Sequence, residues 1–242
     1  MNAFIASLQF ISALPLGKPR AFDPRGIIVH FPLAGLVIGV LLALFDRAAA
    51  ALWPPSVAAV LDVALLAGIT GAFHLDGLAD TADGLYGHGD RDKSLAIMKD
   101  SRVGAMGLVA VVCVLLTKTA ALGAIEHGRF LVLVIVPAYA RSAMIFGMRF
   151  LPYARGPEGT GSPFFETPLS APDFRYLAAP VLLSLLLGWR GLLMNLFFLA
   201  ATAALIAWYR RKLGAITGDM LGAMTEIIEA VLFLAAGVGG GL

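Results

Sequence analysis

The stretch "FHLDGLADTADGLYG", residues 73–87, puts Asp76, Asp80 and Asp83 within eight residues of a chain that is only 14% charged. At 100° per residue these carboxylates fall within an arc of ~60° on a helix. Carboxylates on one face repel each other, and a Lys or Arg at i+4 would relieve them. None occurs between His74 and Asp90. Oxygen donors left unpaired in this way suit a hard divalent cation; the plainer alternative is a solvated, charged helix end. His74 projects ~160° from Asp76 on an ideal helix, so it reads either as a structural hydrogen-bonding group or, in an irregular helix, as a ligand contact. Gly77, Gly84 and Gly87 leave room for another backbone or a ligand.

A second acidic face follows near the C-terminus. "TGDMLGAMTEIIEA" sets Asp219, Glu226 and Glu229 on an arc of ~80°, with Thr217 placed to cap the helix and Gly218 and Gly222 permitting close packing. Glu226 and Glu229 lie inside an apolar segment, where ionisable groups are functional candidates by default. Cations accompany the acids. Lys99 and Arg102 precede a helix that would aim backbone N–H groups at an anion; they read as phosphate contacts or as plain interfacial anchors. Arg141 lies ~13 Å along its helix from the Phe150 end and needs a negative partner, either a side chain or a phosphate. Lys118 is expected to snorkel to the outer interface. "YARGPEGTGSPFFET", which contains Arg155 and Glu158, has the composition of a mobile loop, a lid or a substrate-contacting segment. An acidic metal site, nearby cations and such a loop point to Mg²⁺-assisted phosphoryl chemistry. No GxxxxGK[ST], CxxC or HExxH occurs, which argues against a P-loop, zinc or redox site.

The elements that must position these residues are apolar helices. The chain has 242 residues, 59% of them hydrophobic, and a mean hydropathy of +0.85. Segments near 26–50, 56–76, 103–123, 130–150, 175–189, 191–209 and 219–238 read as membrane spans. The fifth is short and the seventh begins polar, so six spans are an alternative to seven. A helix running unbroken from Ser56 to Leu85 would be ~45 Å long and would carry its carboxylates out of the bilayer core. The first twenty residues have no basic residue before their apolar run, unlike a secretory signal, and read as an amphipathic interfacial helix. Cys113 reads as a small core or lipid-facing residue. With no repeat and no shift of composition, residues 1–242 read as a single all-α, polytopic integral membrane bundle. Lys18, Arg20, Arg25, Arg91, Lys93, Lys99, Arg102, Arg149, Arg155, Arg175, Arg210, Arg211 and Lys212 fall on one side of the seven-span topology, and Arg47, Arg129 and Arg190 on the other. The positive-inside rule then places the N-terminus and both acidic faces on the cytoplasmic side of the inner membrane. The formal net charge of +2 gives no reason to expect a nucleic-acid partner, and the sequence leaves a homo-oligomer open.

"FHLDGLADTADGLYG", "IMKDSRVGAMG", "YARGPEGTG" and "TGDMLGAMTEIIE", in this order and spacing, resemble the cobalamin synthase family, the adenosylcobinamide-GDP ribazoletransferases. The resemblance covers nearly the whole chain. Two departures are Ala13, where the family often has Arg, and "GTG" at 159–161 in place of "GLG". The resemblance implies a membrane enzyme for the last assembly step of the cobalamin nucleotide loop. Adenosylcobinamide-GDP is the donor, α-ribazole or its 5′-phosphate the acceptor, and GMP leaves. The expected cofactor is Mg²⁺, held by Asp76, Asp80, Asp83, Asp219 and Glu226. Asp80 and Asp83 are the catalytic candidates, Asp83 being the first choice of general base, and the role of Glu229 is left open. Lys99, Arg102, Arg141, Arg155 and His74 are the substrate-binding candidates. The acidic stretch also resembles that of CDP-alcohol phosphotransferases, so a lipid synthase of that kind is the nearest rival. A divalent-cation or solute transporter is a rival from another class.

Overall fold

The computed structural model of the chain describes residues 2–86, 90–157 and 159–239; Gly87 and Glu158 lie outside the described residues. Eleven α-helices are formed by these residues: α1 (Asn2–Ile11), α2 (Pro24–Val29), α3 (Phe31–Leu52), α4 (Pro55–Ile69), α5 (Phe73–Tyr86), α6 (Arg91–Ile97), α7 (Ala105–Gly123), α8 (Arg129–Phe150), α9 (Ala178–Ser184), α10 (Trp189–Lys212) and α11 (Gly218–Gly237). No strand is present among them beyond the isolated bridge between Tyr153 and Ile216. The all-α polytopic bundle read from the sequence is the fold observed.

Five helices, α3, α7, α8, α10 and α11, are long and apolar enough to cross a membrane. Their positions follow from how many faces each must bury. Of the most apolar stretch of each helix, 83% of residues are buried in α8 and 78% in α11, against 22% in α7 and 28% in α10. The first two form the centre of the bundle. The other two turn Leu108, Val112 and Leu116, and Leu192, Leu196 and Leu199, outward. Cys113 lies exposed on α7.

Three expected helices differ from the prediction. The span near 26–50 is divided at His30 into α2 and α3, with Pro32 in the first turn of the second helix. The helix expected to run unbroken from Ser56 to Leu85 is broken into α4 and α5, whose axes diverge by 89°. Gly71 and Ala72 both adopt left-handed backbone, with φ of 59° and 57°. Glycine does so freely, whereas Ala72 pays about 1–2 kcal/mol. The turn is held by the Ala72 N–H to the Ala67 carbonyl (2.8 Å) and by the Ala13 N–H to the Ile69 carbonyl (2.7 Å). α4 and α5 count as a sixth span only if taken together as a broken one. As a result, the acidic helix does not project away from the bundle; it folds back against it.

The short span expected near 175–189 is a mixture of 3₁₀ turns (Ala171–Leu177 and Leu185–Leu187) flanking α9. It nevertheless follows α8 along its length. Phe174 packs its ring 4.8 Å from Phe146, Ser184 accepts a hydrogen bond from Tyr139 at 3.1 Å, and Leu187 reaches Gly128 at the far end. A 3₁₀ turn rises about 2.0 Å per residue against 1.5 Å in an α-helix, so the segment from Phe174 to Leu187 spans roughly 22 Å of the ~27 Å between Phe146 and Gly128 on α8. At that end Arg129 joins α8 to α3 and α4 through Asp46 (2.8 Å) and Asp62 (2.7 Å).

Candidate active site

α5 and α11 cross almost backbone to backbone. A Cβ placed on Gly77 would sit 2.7 Å from the main-chain oxygen of Asp219, and one on Gly222 would sit 3.3 Å from the Cα of His74. At Gly77 only glycine allows this approach, and it brings the carboxylates flanking Gly77 to the start of α11. Asp80 thereby lies in the field of Asp76, Asp219 and Asp83, with Arg155 offsetting them. Asp76 is exposed and Asp80 half-buried, and among the described residues neither carboxylate receives a hydrogen bond or an ion pair.

Asp219 is engaged instead. It accepts from Arg155 Nη2 at 2.6 Å and from Thr217 Oγ1 at 3.3 Å, while Thr217 caps α11 by accepting the Met220 N–H. The bridge between Tyr153 and Ile216 delivers Arg155. The Ala154 N–H meets the Ile216 carbonyl and the Ile216 N–H meets the Pro152 carbonyl, both at 2.9 Å. Arg155 Nη2 also donates to the Met98 carbonyl (3.2 Å), and Arg91 to that of Ala154 (3.2 Å). The glycine-rich loop read as mobile is therefore tied to α6 and α11 at its Tyr153–Arg155 end.

Asp83 behaves differently from its two neighbours. Its oxygens accept the Gly104 N–H (2.6 Å) and the Gly107 N–H (2.8 Å), satisfying free donors at the start of α7. Each oxygen thus accepts one N–H, so Asp83 bridges α5 and α7 and has fewer free lone pairs than Asp76 or Asp80. Gly104 and Gly107 were missed from the sequence as partners, although their i, i+3 spacing at a helix start was the available signal. A Cβ at Gly104 would come within 2.5 Å of the Asp83 carboxylate, and one at Gly107 would also collide with it.

The expected cations divide into two groups. Lys99 and Arg155 line a cleft of about 390 Å³ with Leu95, Ala96, Gly159 and Thr160. Arg102, by contrast, folds onto Asp100 at 2.6 Å, and its guanidinium and backbone N–H hold that carboxyl down at about 2. Arg141 is fully buried and pairs with Glu229. Lys118 does not snorkel; it is buried and donates to Glu226 (2.6 Å) and Glu229 (2.5 Å). Glu226 consequently belongs to a neutral Lys–Glu–Glu–Arg cluster joining α7, α8 and α11, and is not positioned beside the aspartates. Charges sealed in an apolar bundle must find opposite charges, and here the protein supplies them. His74 is also wholly buried, with Nδ1 3.5 Å from Arg141 Nη2 and Nε2 without a partner. Its Nδ1 faces this cluster.

Among the described residues no three His, Cys, Asp or Glu side chains form a ready-made metal cage. The oxygen donors nevertheless fit Mg²⁺, which commonly takes one or two carboxylates and fills its other positions with water and phosphate. Asp76 and Asp80 are two such donors free of protein partners, with Lys99 and Arg155 nearby to receive an anion.

The fold and this crossing define a polytopic helical membrane protein with an acidic site and an adjoining cationic cleft at one end of the bundle. The cobalamin-5-phosphate synthase family profile matches residues 3–237, and the chain belongs to that family. It is similar to proteins named adenosylcobinamide-GDP ribazoletransferase. The one from Syntrophobacter fumaroxidans is 40% identical, over 96% of this chain and 97% of the relative. That from Geotalea daltonii is 37% identical over 97% and 96%, and that from Pseudomonas putida strain GB-1 is 38% identical over 99% and 100%. No solved structure matches the chain.

Proposed function

We propose that this chain is an adenosylcobinamide-GDP ribazoletransferase, joining adenosylcobinamide-GDP to α-ribazole or its 5′-phosphate with release of GMP. Beyond family membership, one observation carries the reading: two carboxylates without protein partners, Asp76 and Asp80, stand at the α5–α11 crossing beside the cleft of Lys99 and Arg155. Asp76 and Asp80 would hold Mg²⁺, which when bound offsets charge on the pyrophosphate and on the leaving phosphate.

The chain's own groups account for the rest. Lys99 and Arg155 receive the pyrophosphate and fix its orientation, which is most of what phosphoryl transfer requires of a protein. Asp219 holds Arg155 in place. Asp80, half-buried and unpartnered, accepts the proton of the attacking ribose hydroxyl. The hydroxyl oxygen bonds to the phosphorus that carries cobinamide. The bond from that phosphorus to the GMP oxygen breaks, and GMP leaves with the electron pair. Asp83 keeps α5 and α7 in register. Lys93, Lys99, Arg149 and Lys212 at the acidic end of the bundle support a cytoplasmic orientation for the site.

Purified protein in liposomes, supplied with donor and Mg²⁺, tests this reading. GMP should appear with α-ribazole present and not without it. Mg²⁺ flux across the liposome with no nucleotide turnover would replace the enzyme reading with a transporter.

A further inference from the structure

Beside Asp219 lies a second cavity of about 170 Å³. α1 contributes Phe10 to it, α5 Phe73, α8 Met144, the glycine-rich loop Tyr153 and Phe165, and α11 Leu221. Tyr153 and Phe165 stack at 5.0 Å, and the Tyr153 hydroxyl oxygen already accepts the Gly161 N–H. Phe10, which packs on Phe164 at 4.9 Å, and Phe73 line this space while remaining 40% and 53% exposed. Gly218 borders the same space, and a Cβ there would meet nothing within 4 Å, so the cavity is open next to Asp219. Thr160 lines both this cavity and the cleft of Lys99 and Arg155. An apolar aromatic space and a positive one thus meet at a single residue, beside the acidic crossing.

We propose that the aromatic cavity receives the flat base of the acceptor nucleoside, with Thr160 at the junction where the base gives way to ribose. This assignment rests on the transferase reading above. Aromatic walls and a Met sulfur favour a planar, weakly polar ring. The donor's guanine is a poorer occupant, because among the described residues the hydroxyls of Tyr153 and Thr160 are the only side-chain hydrogen-bonding groups in a lining otherwise of Phe, Met, Leu and Gly. A corrin ring is far too large. The anionic part of the substrates has its own place in the Lys99–Arg155 cleft, so the two cavities sort the reactants by chemistry.

Equilibrium dialysis of α-ribazole against the micellar protein, together with steady-state kinetics, tests the assignment. Phe73→Ala and, from a different helix, Phe10→Ala should each raise the acceptor Kd and KM about tenfold, the loss expected from one aromatic partner. Donor KM and kcat should stay within about twofold. Phe73→Tyr, which keeps the ring, should restore acceptor binding. Absence of wild-type turnover overturns the transferase reading itself. Wild-type turnover with an unchanged acceptor Kd in both alanine variants, or with a KM increase confined to the donor, overturns only the pocket assignment.

Discussion

Replacing Glu229 with Gln removes one negative charge from a sealed cluster of two positive and two negative side chains. Glu229 is fully buried, accepts from Lys118 at 2.5 Å, and is the acid paired with Arg141. After the change Lys118 still has Glu226 at 2.6 Å, but Arg141 keeps no carboxylate among the described residues. Breaking a buried pair from one side costs roughly 3–5 kcal/mol, because the remaining charge stays out of water. At about 2–4 °C per kcal/mol for a chain of this size, the apparent melting temperature should fall by roughly 6–20 °C. Scanning near-UV circular dichroism of the detergent-purified protein measures this. Arg141→Gln alone should cost a similar amount. The double variant should cost less than the sum of the two singles by about 2 kcal/mol, the coupling expected within one network. Single variants melting within about 2 °C of wild type, or single effects that simply add, would refute the network as a structural frame.

Other substitutions probe the crossing itself. Gly77→Val should push α5 from α11 at the main-chain oxygen of Asp219 and lower kcat by at least about tenfold in protein that still folds, as misplaced catalytic groups do. Gly107→Ala should drive a Cβ into the Asp83 carboxylate, so that both thermal stability and activity fall; the same change at exposed Gly218 should leave stability within about 0.5 kcal/mol. Arg155→Ala should raise the donor KM about tenfold while α-ribazole binding holds, a loss typical of a charge-assisted contact to phosphate.

How much of this was legible in the sequence depends on how local each signal is. Asp76 and Asp80 form an i, i+4 pair with no cation close by in the sequence, and in the fold neither pairs with one, although Arg155 comes near. The close helix approach at Gly77 and Gly222 was legible for the same reason. Partners across the fold were not. Glu226, Lys118 and Arg141 read as a metal ligand, an interfacial anchor and a phosphate binder because an in-span charge announces a need without naming what meets it. Lys118 finds Glu226 and Glu229 108 and 111 residues away. Asp62, inside α4, drew no notice, and its partner Arg129 comes 67 residues later. The bend between α4 and α5 was hidden as well, since Gly71 signals a turn but Ala72 ordinarily resists left-handed backbone. The division of residues 171–187 into 3₁₀ turns and α9 has a local trace in Pro172 and Pro180, yet hydropathy alone reads the segment as one more helix.

The central claim is that the α5–α11 crossing carries out the transfer. Product formation in liposomes with saturating Mg²⁺ tests it most directly, comparing wild type, Asp80→Asn and Asp92→Asn, the last exposed on the first turn of α6. Asp80→Asn should lower the rate by about 10²–10⁴-fold, as removal of a general base does. Asp92→Asn should remain within about twofold of wild type, as a surface change does. An Asp80→Asn protein that forms adenosylcobalamin at the wild-type rate would contradict the account.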